Sequence, residues 1–354
     1  METGQAQPVV SLALPSTAAI DADAETLGFS IHTAYYLAWA SNSAYYDLGP
    51  WTQMLGLGPD TSVFTYGQFQ GFVGWLEQVA VLAFRGTENI GNCLTDLETP
   101  LVAQPPYPGH VHNGFAEAVE QVWPEVLLRL GEAGRSKPVW VTGHSLGGAM
   151  ATLASVRLAR EGYKVRAVYT YGSPSVGDRA FRDEYDLDNY RFVNDNDLVP
   201  HLPFRWCYKH VGELKLLDAE GNLIEEECEW KHKRRELRGQ AKRIQRAHRG
   251  RPSVGHEFTE FDWLSDHQLE NYLKAIGDLA ARVPRRMPLE RPASGPRRAL
   301  VHRIDPPSVP MPPRLATGAK LRISEEDLAA AFFSQPSGCA GPAASDKGRS
   351  GGTL

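Results

Sequence analysis

The sequence predicts an α/β fold in which helices flank a mostly parallel central sheet. Short apolar runs rich in β-branched and aromatic residues recur along the chain, and segments with apolar residues at helical spacing separate them. This alternation is typical of parallel sheets, because parallel strands need a crossover that is usually a helix. With 354 residues, 42% of them hydrophobic, the chain is long enough to bury a substantial core.

The predicted elements follow in order along the chain. Residues 31–46 come first and have the close helical spacing of a buried helix. The run Val79–Phe84, ended by Gly86, is typical of a buried parallel strand. A helix over residues 113–134 is expected next, with a kink at Pro124. Three further strands are predicted in the segments PVWVTGHS, VRAVYTYGSP and YRFVNDND.

Composition divides the chain into a folded middle part and two polar ends. Residues 1–26 are predicted to be a flexible leader, and residues 27–283 the folded domain. Residues 284–354 are rich in Pro, Arg, Ser and Gly, so we expect a mostly disordered tail. A charged insertion is expected at about residues 206–255, where a hairpin-like segment with a Gly-Asn turn precedes a dense basic block.

Net charge and cysteine content narrow the function classes. The formal charge is -5 and the sequence pI is about 6.1, so we expect no nucleic-acid partner. The four cysteines are scattered and have neither a disulfide pattern nor zinc-site spacing. No apolar run approaches the roughly 18 residues of a membrane span, and the N-terminus lacks the pattern of a secretory signal. We therefore expect a soluble, cytoplasmic protein.

Residues 143–147, Gly-His-Ser-Leu-Gly, match the G-x-S-x-G pattern of a nucleophile elbow. In such an elbow the serine sits in a sharp strand-to-helix turn that only small flanking residues tolerate. The context fits, because an apolar strand precedes Ser145 and a segment with helical spacing follows it. The alternative is a glycine-rich turn with an incidental serine. We predict that Ser145 is a catalytic nucleophile.

A serine nucleophile needs a histidine to take its proton and a buried carboxylate to orient that histidine. Asp197 fits the acid, because it follows an apolar strand at the edge where parallel sheets assemble their sites. Asp195 is its rival, and turn chemistry is the alternative explanation for Asp195 and for the neighbouring Asn194 and Asn196. His267 is favoured as the base because it opens a segment whose apolar spacing would dock it on the core, with His256 as the second candidate.

Together these motifs resemble the class 3 lipases, the family of the fungal triacylglycerol lipases and their bacterial and plant relatives. The resemblance extends over about residues 33–276. It is carried by Phe84-Arg85-Gly86-Thr87, Val111-His112-Asn113-Gly114-Phe115, Gly143 to Gly147, Arg191 to Pro203, and Asp266-His267 with Tyr272. It implies an α/β-hydrolase fold, with Asp197 as the acid and His267 as the base.

The resemblance also implies an oxyanion hole formed by Thr87 and the backbone N–H of Leu146. Such donors stabilise the transition state by several kcal/mol. Asp96, which would hold the Thr87 hydroxyl, and His144 are the supporting residues. The segment at the position of the family's lid consists of Glu88, Asn89, Ile90, Gly91, Asn92, Cys93 and Leu94. Its apolar face is small, which argues against strong activation at an oil–water interface.

We therefore predict a serine carboxylic-ester hydrolase that acts on lipid esters through an acyl-enzyme intermediate, without a metal or an organic cofactor. A phospholipase A1 or a short-chain esterase is the alternative with the same chemistry. A catalytically silent lipase-like binding or signalling module is the alternative from another class. The basic block at residues 231–251 is interpreted as a solvated charged face, and contact with an anionic lipid surface is the second interpretation.

Overall fold

The computed structural model describes residues 14–26, 28–87, 99–197, 199–203, 207–224 and 266–284. The strands in these ranges are β1 (Ser62–Tyr66), β2 (Phe69–Trp75), β3 (Ala80–Phe84), β4 (Leu101–Val102), β5 (Val111–His112), β6 (Val139–His144), β7 (Val165–Tyr171), β8 (Asn189–Asn194), β9 (Glu213–Leu217) and β10 (Leu223–Ile224). The helices are α1 (Thr17–Glu25), α2 (Ile31–Ser43), α3 (Leu48–Leu55), α4 (Asn113–Ser136), α5 (Leu146–Arg160), α6 (Arg179–Glu184) and α7 (Leu269–Arg282), with a 3-10 turn at Val199–His201.

Eight strands form one sheet in the order β1-β2-β3-β6-β7-β8-β9-β10, and β4 pairs with β5 separately. All neighbours from β3 to β9 are parallel. Strands β1, β2 and β10 are added antiparallel at the two ends. The predicted mostly parallel sheet is therefore confirmed. Because the carboxyl ends of parallel strands meet at one edge, the loops after β3, β6, β7 and β8 share that edge.

The sheet separates two apolar cores. Successive side chains of a strand point to opposite faces, so a strand buried on both faces contributes to both cores. In β3, Val81 and Ala83 belong to the core that contains α2 and α7, whereas Leu82 and Phe84 belong to the core that contains α4 and α5. All residues of β3 are buried. This packing gives the loop after β3 a firmly fixed starting point.

The N-terminal segment corrects the predicted flexible leader at residues 1–26. Thr17–Glu25 form the helix α1, in which Ile20 is completely buried. Arg166, at the start of β7, donates a hydrogen bond to the carbonyl oxygen of Ala24 over 3.0 Å. The leader prediction is therefore wrong for α1. The helix was missed because few apolar side chains attach it to the core, so no clear period is visible in the sequence.

Helix α4 was predicted to kink at Pro124. The residue with non-helical backbone angles is instead Gly131, at φ 48° and ψ −157°. Glycine adopts this conformation without steric cost because it has no Cβ. The apolar spacing thus located the helix but not its break. Neither α4 nor any other helix in the described ranges is both long and apolar enough to cross a membrane.

Residues 207–224 of the predicted charged insertion at about residues 206–255 add two strands to the central sheet. Strand β9 pairs in parallel with β8, and β10 returns antiparallel to β9, so both extend the central sheet. The hairpin itself was predicted, and Gly221 in its turn has φ 74°. The insertion itself stays a prediction. The basic block and nearly all of the predicted tail at residues 284–354 lie outside the described residues.

Candidate active site

Ser145 lies in a sharp turn between β6 and α5. Its backbone angles, φ 56° and ψ −127°, are rarely adopted by residues other than glycine. Its N–H donates to the carbonyl oxygen of Tyr171 over 2.9 Å. The flanking glycines leave room for this turn: a Cβ on Gly143 would lie 2.2 Å from the carbonyl oxygen of Gly147, and one on Gly147 would lie 2.3 Å from that of Phe84. The geometry is that of a nucleophile elbow.

Asp197 and His267 meet although 70 residues separate them in sequence. Nδ1 of His267 lies 2.8 Å from Oδ2 of Asp197, and both side chains are completely buried. Because a carboxylate only accepts hydrogen bonds, Nδ1 carries the hydrogen, and Nε2 of the neutral ring is left as an acceptor. Oδ1 of Asp197 accepts the N–H of Val199 over 2.9 Å. Both carboxylate oxygens are thus hydrogen-bonded, which offsets the cost of burying the charge.

Tyr272 supplies a further donor to the same carboxylate. Its hydroxyl donates to Oδ2 of Asp197 over 2.6 Å and accepts the N–H of Asn194 over 3.0 Å. Burial, and then the negative charge of Asp197, hold the pKa of Tyr272 well above its usual value, so the phenol remains a donor. Helix α7 was predicted to dock the base on the core, and it also holds the acid.

Two polar atoms of the site lack a hydrogen bond among the described residues. They are Oγ of Ser145 and Nε2 of His267, and both are buried. Buried polar groups in proteins nearly always have hydrogen-bond partners, so each exception needs a reason. In this site the two exceptions are a hydroxyl on an elbow and the acceptor nitrogen of an oriented histidine, the pair that proton transfer would use.

His144, predicted as a supporting residue, contacts His267 from β6, the strand that precedes Ser145. Its Nε2 lies 2.8 Å from the carbonyl oxygen of His267, and its Nδ1 lies 2.9 Å from the hydroxyl of Tyr45. The centroids of the two histidine rings are 4.6 Å apart. Burial, followed by the neighbouring ring of His267, holds the pKa of His144 well below its usual value. His144 is therefore neutral at neutral pH.

The two predicted oxyanion donors lie at the edge of the sheet that carries Ser145. Thr87 is half-buried in the loop after β3, and that loop passes close to the serine, since a Cβ on Gly86 would lie 3.3 Å from Cβ of Ser145. Leu146 is the first residue of α5, where backbone N–H groups have no partner within the helix. Asp96 and the predicted lid lie outside the described residues: Glu88, Asn89, Ile90, Gly91, Asn92, Cys93 and Leu94.

Asp195, the rival acid, and His210 take part in other interactions. The carboxylate of Asp195 accepts a hydrogen bond from the side chain of Asn196 over 2.6 Å, a contact between neighbours in the turn. His210, another histidine downstream of the acid, contacts the carbonyl oxygen of Pro200 through Nε2 at 2.5 Å. His256 lies outside the described residues. Of the acids and bases considered, the structure pairs Asp197 with His267.

A cross-connection between the acid loop and the base was missed from the sequence. The side chain of Asn194 donates to the carbonyl oxygen of Asp266 over 3.0 Å, and the N–H of Asn196 donates to the Asp266 carboxylate over 3.2 Å. Both asparagines had been interpreted as turn residues. They instead tie the loop that carries Asp197 to the residue before His267. No local pattern indicates this, because the partners are about 70 residues apart.

Residues 81–206 match the family model described as Lipase (class 3). Over these residues the chain is similar to the class 3 lipases. The predicted α/β-hydrolase fold is also confirmed, since helices cover a mostly parallel sheet and an elbow follows β6. Among similar proteins, the lipase of Rhizomucor miehei is 36% identical over 149 residues, which are 39% of this chain and 41% of the relative.

Two further relatives and a solved structure are also similar to part of this chain. Secreted mono- and diacylglycerol lipase 1 of Fusarium solani is 35% identical over 147 residues, 39% of this chain and 44% of the relative. Toxin TseL of Vibrio cholerae is 38% identical over 128 residues, 34% of this chain and 19% of the toxin. The Rhizomucor miehei lipase propeptide complex has a TM-score of 0.48 at 28% identity, covering 55% of this chain and 68% of that structure. The chain spans less than half the length of these curated relatives.

Proposed function

We propose that this chain hydrolyses carboxylic esters of lipids, with Ser145 as nucleophile, His267 as general base and Asp197 as the residue that orients the base. The observation that carries the proposal is the buried 2.8 Å contact between Nδ1 of His267 and Oδ2 of Asp197, in the site that also holds the serine elbow. This contact leaves Nε2 as the acceptor, which is the form of the ring that can take a proton from a serine.

In the proposed reaction, Oγ of Ser145 attacks the carbonyl carbon of the ester while its proton passes to Nε2 of His267. The electron pair of the carbonyl double bond moves to oxygen. When the tetrahedral intermediate collapses, the bond to the alcohol oxygen breaks, and the alcohol leaves with the proton from Nε2. Water then gives a proton to the same nitrogen and attacks the acyl-enzyme. The acid is released, and the serine hydroxyl is restored.

The oxyanion is proposed to be stabilised by Thr87 and by the backbone N–H of Leu146. Leu146 begins α5, and a helix N-terminus offers unpaired N–H groups together with a positive dipole end. Thr87 lies in the loop that passes beside Ser145. Removing one donor of an oxyanion hole typically lowers kcat by about 10²- to 10³-fold. Thr87→Ala should therefore lower kcat by that factor.

Lipid esters are proposed as the substrates because the relatives are named as a lipase and a mono- and diacylglycerol lipase. A phospholipase A1 or a short-chain esterase would use the same chemistry. The basic block at residues 231–251 favours including an anionic surface in the test, since a basic residue near such a surface contributes about 1 kcal/mol to binding. Substrate length and the presence of a lipid surface are therefore the two variables to examine.

The test is hydrolysis of p-nitrophenyl butyrate and p-nitrophenyl palmitate by the full chain, with and without vesicles that contain anionic phospholipid. We expect Ser145→Ala to reduce kcat by about 10⁴-fold or more. A preference for palmitate that vesicles increase would support a lipase or phospholipase, and a preference for butyrate would identify a short-chain esterase. A folded wild-type chain that hydrolyses neither ester would overturn the proposal in favour of the binding module.

Matched variants separate the proposed catalytic residues from their neighbours. Asp197→Asn and His267→Gln should lose activity. Asp195→Asn and His210→Gln should keep kcat within about threefold of wild type, since substitutions outside the reacting groups usually have small effects. A fluorophosphonate probe should label wild type at Ser145 alone. Comparable losses at Asp195 or His210 would contradict the assignment of the acid or the base.

A further inference from the structure

His267 is held at two places. Its ring is bound by Asp197, and its backbone carbonyl oxygen lies 2.8 Å from Nε2 of His144. The second contact is to the main chain of His267, which lies two residues before the first residue of α7. A ring bound only at Nδ1 can still move with its own backbone. The contact with His144, together with the bonds from the acid loop to Asp266, limits this movement.

The contacts of His144 have a defined direction. A carbonyl oxygen only accepts, so Nε2 of His144 donates to His267. The neutral ring then has Nδ1 as its acceptor, and the hydroxyl of Tyr45, 2.9 Å away, donates to it. Burial holds the pKa of His144 well below its usual value, which keeps the ring in this neutral form. The hydrogen bonds therefore run in one direction from Tyr45 through His144 to His267.

Tyr45 and His144, which form this series of hydrogen bonds, both lie beside Ser145. His144 is the residue before Ser145 and is only 5% exposed, and its ring lies at 34° to that of His267. Tyr45 follows α2, and its hydroxyl approaches the loop after β3, since a Cβ on Gly86 would lie 2.2 Å from it. The strand that presents the nucleophile thus also carries the residue that anchors the base.

We propose that His144 and Tyr45 are positioning residues that set the location of His267 relative to Ser145. This inference rests on the proposed ester hydrolysis and deepens it. His144 acts through the backbone of His267 rather than through the reacting nitrogen. Misplacing a catalytic group by about 1 Å can lower the rate roughly 10²-fold. No substrate contact is removed when His144 is changed, so the loss should appear in kcat and not in KM.

Four substitutions test the proposal with p-nitrophenyl butyrate. His144→Phe keeps an aromatic ring but removes both nitrogens, and we expect kcat to fall by about 10- to 100-fold with KM within about twofold. His144→Gln carries an amide N–H near the position of Nε2 and should restore most of kcat. His144→Asn places its amide near Nδ1, out of reach of the carbonyl, and should stay low. Tyr45→Phe should lower kcat less, and add nothing in the His144→Phe background.

A second measurement does not depend on activity. The Nδ1 proton of His267 should give a downfield proton resonance, assigned by its loss in Asp197→Ala, that shifts or broadens in His144→Phe and returns in His144→Gln. Thermal unfolding identifies the variants that fold. If His144→Phe does not fold, the proposal is tested by comparing His144→Gln with His144→Asn. Unchanged kcat and resonance in the variants without the N–H, or equal losses in Gln and Asn, would overturn the proposal. An inactive wild type with this resonance response would refute ester hydrolysis and still support the positioning role.

Discussion

The hydroxyl of Tyr272 lies 2.6 Å from Oδ2 of Asp197, the oxygen that also receives the ring of His267. Two donors on one oxygen restrict the rotation of the carboxylate, and the N–H of Val199 on Oδ1 restricts it further. Tyr272 belongs to α7, the helix that starts directly after the base. The acid is therefore oriented by the same element that holds the histidine in place.

Removing this hydroxyl tests its contribution. Tyr272→Phe deletes the donor to Asp197 and leaves the buried N–H of Asn194 without its acceptor, so the free energy of unfolding should fall by about 1–3 kcal/mol. We also expect a lower kcat with little change in KM. Urea unfolding and hydrolysis of p-nitrophenyl butyrate measure the two effects. Tyr66→Phe is the matched control, because Tyr66 is 54% exposed on β1 and should change stability by less than about 0.5 kcal/mol. Equal effects at the two tyrosines would contradict the prediction.

The neutral state of His144 predicts a loss of stability in acid. Its pKa in the folded protein lies below the ordinary value of 6.5, so between these two values the unfolded chain binds more protons than the folded one. The contribution of the neutral His144 ring to the free energy of unfolding is fully present above pH 6.5. It is lost as the pH falls below that value. One proton changes the free energy of unfolding by at most about 1.4 kcal/mol per pH unit.

His144→Gln removes this titration. Urea unfolding of the variant at a series of pH values below 6.5 should therefore show a shallower decline of the free energy of unfolding than wild type. The groups that face His144 are Tyr45, His267 and Tyr272, and all three are present in both proteins. His110→Gln, which makes the same change at a largely exposed histidine, is the comparison variant. Parallel curves for wild type and His144→Gln would refute the prediction.

Gly172 has no side chain, and this leaves room for the side chains of Asp197 and His267. A Cβ at this position would lie 2.8 Å from both Oδ2 of Asp197 and Nδ1 of His267, and the backbone has φ 60°. Gly172→Ala should therefore push the pair apart and lower kcat by about 10²-fold. Gly67→Ala separates this effect from backbone strain, because Gly67 has φ 57° with no atom within 4 Å of the added Cβ. The control should lose about 1–2 kcal/mol of stability and keep its kcat. A Gly172→Ala variant with wild-type kcat would show that the pair tolerates the extra carbon.

The pattern of residues within single segments was sufficient to predict the strands that are buried on both faces of the sheet. The strands β3 and β6 are continuous apolar runs, and the elbow at Ser145 is specified by residues next to it in sequence. The same reasoning placed Asp197 at a strand end. The choice between histidines needed the resemblance to a family, because an element boundary is hard to locate from periodicity alone.

The remaining parts of the site depend on contacts between distant segments. The bond from His144 to His267 joins residues 123 apart, and Tyr45 is 99 residues from His144. The spacing of residues within one element contains no information on such pairs. Gly172 is a similar case. A side chain is excluded at this position only because Asp197 and His267 meet beside it. Sequence reasoning thus selected Asp197 and His267, which the structure pairs, but not the residues that pack around this pair.

The helix α1 gives the clearest test of a corrected prediction. A flexible leader would tolerate substitution, but Ile20 is completely buried in the core that contains α2, and its loss would leave a cavity. Ile20→Ala should lower the free energy of unfolding by about 2–5 kcal/mol in urea titrations. Leu128→Ala, which shortens a side chain 74% exposed on α4, should change it by less than about 0.5 kcal/mol. If the two variants unfold at the same urea concentration, α1 does not contribute to the folded core, and the leader prediction would stand for the whole of residues 1–26.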